Sequence, residues 1–127
     1  MQHSVTALYA AALAAGFIFL SVRVIARRRA SGIAIGTQGD KALERAARVH
    51  ANFAEYVPMA LLMLWFVEQA GYPAWIVHAL GLALVFARTV HAIGYSRVNE
   101  DFRFRVVGMM GTFSVLAFAV VLVILRP

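Results

Sequence analysis

Arg48-Val49-His50-Ala51-Asn52-Phe53-Ala54-Glu55-Tyr56-Val57-Pro58 decides how this chain folds. The segment runs on as Met59-Ala60-Leu61-Leu62-Met63-Leu64-Trp65-Phe66-Val67, and the whole is long and apolar enough to cross a bilayer. Yet Arg48, Asn52 and Glu55 stand at i, i+4 and i+7, which places them on one face of a helix. One stripe of an otherwise apolar helix therefore carries a cation, an amide and an anion. A carboxylate inside a bilayer is costly and rarely faces lipid, so it marks a function or a buried partner.

The composition agrees with a membrane setting. Of 127 residues, 62% are hydrophobic and 14% charged, too few polar side chains to cover a soluble domain of this size. The absence of cysteine excludes disulfides, cysteine metal sites and a cysteine nucleophile. Any thiol used here comes from a ligand. The net charge of +6 does not point to nucleic acid, because the arginines cluster beside apolar runs, where positive-inside topology puts them.

Working outward from the central stretch, the apolar runs predict four spans, at about 4–26, 45–69, 74–95 and 105–125. Met1–His3 forms a short polar start without the basic residues of a signal peptide. Arg27-Arg28-Arg29 follows the first run as a stop-transfer signal, which favours a retained helix. The stretch 27–41 reads as a loop. Its Gly36-Thr37-Gln38-Gly39-Asp40 lacks the strand and the Gly-Lys-Ser/Thr of a phosphate-binding loop. Asp40 is placed to cap the second helix, with Glu44 in its first turns, and Pro58 is expected to kink that helix beside the polar stripe. Ala70-Gly71-Tyr72-Pro73 is an uncharged tight turn, with Tyr72 and Trp75 as interfacial anchors. In the third span Arg88, His91 and Tyr95 fall at i, i+3 and i+7 as a second polar stripe. A charged loop, 96–105, follows. Gly108 and Gly111 then open the fourth span with room for close backbone approach. Basic residues concentrate in the first and third connections, which puts both on the cytoplasmic side and gathers the two polar stripes at that end.

The cluster there is rich in arginine, with Glu55 as its acid. It suits a zwitterionic, carboxylate-bearing ligand: arginines fork onto carboxylates, Glu55 meets an amino group, and a remaining arginine stabilises a thiolate or oxyanion. Plainer readings stand beside it. Glu55 pairs with Arg48 or Arg88 merely to lock the bundle, His50 and His78 sit at the membrane boundary, and Met59, Met63, Met109 and Met110 pack or face lipid. A metal site built from His50, His91 and Glu55 requires the second and third helices to face each other closely, and the excess of arginine opposes a cation.

Glu44-Arg45, then Arg48 to Pro58 with its Arg, Asn, Glu and Pro, resembles the second-helix signature of the MAPEG family, the membrane-associated proteins of eicosanoid and glutathione metabolism, in its small bacterial branch. Ala87-Arg88-Thr89-Val90-His91 with Gly94-Tyr95 is similar to the family's third-helix signature. The resemblance implies an all-α integral membrane protein, a four-transmembrane-helix bundle assembled as a homotrimer. It implies glutathione bound between subunits at the cytoplasmic end by Arg48, Asn52, Glu55, Tyr56, His91 and Tyr95, with Arg88 beside them. Arg103 and Arg105 compete for the role of thiolate-stabilising arginine, and Arg27 or Arg28 matches a further active-site arginine. His91 stands where some members carry tyrosine. The implied activity is a membrane glutathione transferase, with peroxidase activity as an extension, acting on lipophilic electrophiles in detoxification at the bacterial inner membrane. The alternatives are a non-catalytic membrane protein that binds glutathione or an anionic lipid, and a purely structural oligomer.

Overall fold

The computed structural model describes residues 4–126, so Met1–His3 and Pro127 lie outside the described residues. Four helices follow in order: α1 (Val5–Ser31), α2 (Lys41–Gln69), α3 (Ala74–Ser96) and α4 (Phe102–Ile124), with no strand among the described residues. Three of them, α1, α3 and α4, are long and apolar enough to cross a membrane, against the four spans expected from the sequence. The polar stripe and the charged first turns keep α2 out of that set.

Besides α2, which begins at Lys41, four residues before its predicted span, two boundaries differ from the sequence reading by more than one residue. First, α1 does not stop at residue 26 but carries Arg27-Arg28-Arg29 in its last turns and ends at Gly32, whose φ of 68° gives a left-handed cap. Arginine is a good helix former and is favoured at the negative end of the helix dipole, so the basic run prolongs the helix. Second, α4 begins at Phe102, three residues before the predicted span. The Asp101 carboxylate accepts from the Arg103 backbone N–H at 3.0 Å and starts the helix there. Arg103 and Arg105 are therefore first-turn helix residues, not loop residues.

Asp40 caps α2 as its position predicts, its Oδ1 accepting from Ala42 N at 2.9 Å and Leu43 N at 3.0 Å. The helix runs unbroken through Pro58. Both α2 and α3 pack on α1 and α4 as well as on each other, whereas α1 and α4 do not meet. The closest pairing is α3 on α4, where glycine removes the side chain at three levels. A Cβ on Gly108 would lie 2.7 Å from the Ala87 carbonyl oxygen, and one on Gly111 would lie 2.8 Å from the Ala87 Cβ. At Gly94 the obstacle is Phe104. Outward faces carry Ile18, Phe19, Trp75, Phe86 and Phe118, an apolar exterior suited to lipid.

The end away from the arginines is closed by polar locks. Glu68, near the end of α2, accepts from the Ser4 hydroxyl at 2.8 Å and from the backbone N–H groups of Val5 at 2.6 Å and Thr6 at 3.0 Å. A carboxylate from one helix thus satisfies the orphan donors at the start of another. Tyr9 OH lies 2.9 Å from His78 Nδ1, and Tyr72 OH donates to the Leu122 carbonyl at 2.9 Å. Gly81 makes room for the Tyr9 ring.

Candidate functional site

At the opposite end the first half of α2, the last turns of α3 and the first turns of α4 come together around Arg88. This side chain is 1% exposed. Its Nη2 donates to Asn52 Oδ1 on α2 at 2.6 Å and its Nη1 to Thr112 Oγ1 on α4 at 3.3 Å, with Met109 Sδ at 3.7 Å. Nη2 also lies 3.3 Å from His91 Nδ1. Arginine only donates, so Nδ1 accepts and the imidazole proton sits on Nε2. One guanidinium therefore ties three helices together and fixes the tautomer of His91. No carboxylate among the described residues comes within ion-pair distance of Arg88. Its buried Nε has no partner among them.

A second layer lies nearer the membrane surface. Glu100, in the α3–α4 connection, forms an ion pair with Arg45 at 2.6 Å and accepts from Arg105 at 3.1 Å on the same Oε1. Both guanidiniums face the Tyr95 ring, Arg105 at 4.3 Å and Arg45 at 5.3 Å from its centroid. His91 meets the same ring edge-on. The result is a cleft of about 380 Å³ whose walls include Lys41, Glu44, Arg45, Arg48, Tyr95 and Arg105, with four cations to one acid and one aromatic plane.

The predicted polar stripe divides. Asn52 turns inward to Arg88, whereas Arg48 and Glu55 are exposed. Neither Arg48 nor Glu55 has a hydrogen-bonding or ionic side-chain partner among the described residues. The bundle-locking pair of Glu55 with Arg48 or Arg88 does not form within the chain. Tyr56 is half-buried, its ring edge-on to Phe113 of α4 at 5.6 Å. Arg103 is exposed and stands outside the walls of the cleft, unlike Arg105. Arg28 is committed locally: its Nη1 donates to the carbonyls of Ile33, Ala34 and Gly36 at 3.3, 3.2 and 2.9 Å and shapes the loop after α1. Arg27 remains exposed. His50 belongs to the α1–α2 contact, 3.0 Å from the Ser21 hydroxyl and stacked on Phe17. No three His, Cys, Asp or Glu side chains come together as a metal site among the described residues.

Glu100 and Glu68 were not singled out by sequence reasoning. Arg45 lies 55 residues from Glu100, and the partners of Glu68 lie more than 60 residues from it; no periodicity links such positions. A usable signal existed for Glu68: it is an acid at the end of the bundle away from the arginine cluster, where a burial partner is required.

Comparison with known proteins places this architecture. The model of the MAPEG family matches residues 6–125. The inner membrane protein YecN of Escherichia coli K12 is 35% identical over 112 residues, covering 88% of this chain and 84% of that protein. The protein of the same name from Escherichia coli O6:H1 matches to the same extent. With the matched region taking in all four helices but the first residue of α1, this chain belongs to the MAPEG family and is an integral membrane protein.

Proposed function

We propose that the protein is a membrane glutathione transferase that joins the glutathione thiolate to lipophilic electrophiles. The observation that carries this reading is the unpartnered pair Arg48 and Glu55 on the exposed face of α2. Two charges facing hydrocarbon without partners would be strongly unfavourable. A face that holds them out from a folded bundle is explained by a zwitterionic ligand and a second subunit that cover it. In this reading all four helices cross the bacterial inner membrane, as the name of the YecN relatives suggests. Loops 1 and 3 are cytoplasmic, and three copies assemble around the α2 faces.

The residues fit the tripeptide. Arg48 and the cleft cations receive its carboxylates, Glu55 accepts from its ammonium, and Tyr56, Tyr95 and Asn52 offer further hydrogen bonds. Arg88 and His91 act from behind: Arg88 fixes the Asn52 amide and the His91 ring, so those groups are pre-oriented before ligand arrives. Arg105 is the better placed thiolate partner, since it lines the cleft and Arg103 does not. The thiolate is the nucleophile. Its sulfur bonds to an electrophilic carbon while the leaving group departs with the bonding pair, or while a conjugate-addition carbanion takes a proton. The second substrate is lipophilic and arrives through the bilayer.

One observation favours a binding role without turnover. Glu100 already pairs with both Arg45 and Arg105, so a thiolate has to compete with a carboxylate for Arg105. The test separates both readings. Glutathione and its S-methyl analogue are titrated by calorimetry, and thiolate absorbance is recorded for Arg103→Ala and Arg105→Ala. Binding of both ligands, with thiolate lost in Arg105→Ala alone, is the expected result. Binding without thiolate in the unaltered protein favours the non-catalytic reading. Binding of neither ligand by a folded sample removes glutathione.

A further inference from the structure

A second cavity shares no wall residue with the arginine cleft. It is a groove of about 450 Å³ between α1 and α3, walled by apolar side chains such as Leu13, Phe19, Val85 and Ile93, with Ala12, Gly16 and Ala92 giving it depth. From Ala12 to Arg23 along α1 it runs roughly 16 Å, at 1.5 Å per residue. It opens on the apolar exterior, where Phe19 and Ile93 are themselves exposed. A molecule dissolved in the bilayer therefore reaches it without crossing water.

The end of the groove near the membrane surface is cationic. Arg23 and Arg97 line it, and Arg27 follows one turn after Arg23 on the same face of α1. Arg23 Nη1 donates to Ser96 Oγ at 2.6 Å, which holds the guanidinium across the mouth from α1 to α3. That bond uses one of five N–H donors, and no other partner of Arg23 occurs among the described residues. The acids nearest in sequence to Arg97 are both engaged, Glu100 with Arg45 and Arg105, and Asp101 as the cap of α4. Arg23 and Arg97 thus line the head of an acyl-sized groove, with Arg27 one turn away on α1, and no carboxylate among the described residues pairs with any of them.

We propose that this groove seats one acyl chain of an anionic phospholipid of the bilayer, with the phosphate held between Arg23 and Arg97. A guanidinium forks onto phosphate oxygens. A zwitterionic headgroup brings its own cation toward three arginines and is disfavoured. The inference does not rest on the glutathione reading: the groove has Arg88, the hub behind the cleft, in its wall, but shares no wall residue with the cleft itself.

The test counts lipid retained by the intact protein. The full chain is purified in detergent with equimolar phosphatidylglycerol and phosphatidylcholine, and bound lipid is measured by native mass spectrometry. Selectivity for phosphatidylglycerol is expected. It should fall about fivefold in Arg97→Gln and about twenty-fivefold in Arg23→Gln/Arg97→Gln, following the affinity of a basic side chain for an anionic lipid surface. Arg97 makes no side-chain hydrogen bond or ion pair among the described residues, so its substitution leaves the fold intact. Ala92→Leu, which fills the groove, should lower retention of both lipids. Equal retention of the two lipids by the unaltered protein overturns the proposal. So does selectivity unmoved by Arg23→Gln/Arg97→Gln. A change of oligomer mass in Ala92→Leu with lipid retention unchanged also overturns it, and would show that a second copy covers the groove.

Discussion

Two glutamates on α2 behave in opposite ways. Glu68, at one end, is saturated: a hydroxyl and two backbone N–H groups of α1 donate to its two oxygens. Glu55, in the middle, is exposed and has no partner among the described residues. Both are carboxylates in a largely apolar helix, and the bundle has found a use for one and left the other open. The contrast separates a carboxylate that holds the fold from one held out toward something else. The arginines divide in the same way: Arg88 is buried and shared among three helices, whereas Arg48 is free on the surface.

Substitutions that treat the two ends differently test this contrast. The largest effect is expected from Gly108→Val. Its side chain would collide with the Ala87 carbonyl and His91, pushing α4 from α3 and pulling Thr112 from Arg88. A loss of about 3 kcal/mol is expected, at the upper end of overpacking costs, read as a lower midpoint of thermal unfolding together with lost glutathione binding. If stability is unchanged, the arginine hub does not depend on that close approach. Next comes Glu55→Gln. Glutathione affinity should fall roughly 10- to 100-fold, the worth of a hydrogen bond to a charged group, while the unfolding midpoint stays put. A protein that unfolds early but binds normally would turn Glu55 into a second Glu68.

Glu68→Ala is expected to show the reverse pattern. Loss of the cap on α1 should cost about 1 kcal/mol, visible in thermal unfolding, with glutathione affinity unaltered. Amide exchange at Val5 and Thr6 should quicken, since their N–H groups lose their acceptor. Smallest is Glu100→Gln. Removing its charge frees Arg45 and Arg105 from competition, and the glutathione thiolate fraction should rise severalfold, since even a solvent-exposed ion pair is worth up to about 1 kcal/mol and this one is partly buried. A fall instead would mean that Glu100 positions Arg105 for the thiol rather than competing for it.

Much of this was legible in local sequence. Asp40 with Glu44 marks the start of α2, Gly71-Tyr72-Pro73 marks the turn before α3, and Gly108 and Gly111 mark a close helix contact; each depends on neighbours within a turn or two. The end of α1 was also written locally, since Gly32 supplies the left-handed cap, but the arginine run before it read as a loop. What could not be read were partnerships across the chain. Nothing in spacing ties Glu68 to the start of α1, Glu100 to Arg45, or His50 to Ser21. Likewise Arg48, Asn52 and Glu55 share a helix face, yet the few tens of degrees between them decide which one turns inward. That division depends on where α3 and α4 sit.

The sequence alone determined four helices, a membrane setting and one polar end, because apolar periodicity, chain length and charge placement are properties of adjacent residues. Tertiary structure decided which charges are spent and which are free. Arg88 became the buried hub, Arg105 rather than Arg103 entered the cleft, and Arg23 came to rest across the mouth of an acyl-sized groove. A charge is neutralised by whatever lies within a few ångströms of it, and that neighbourhood exists once the helices have packed.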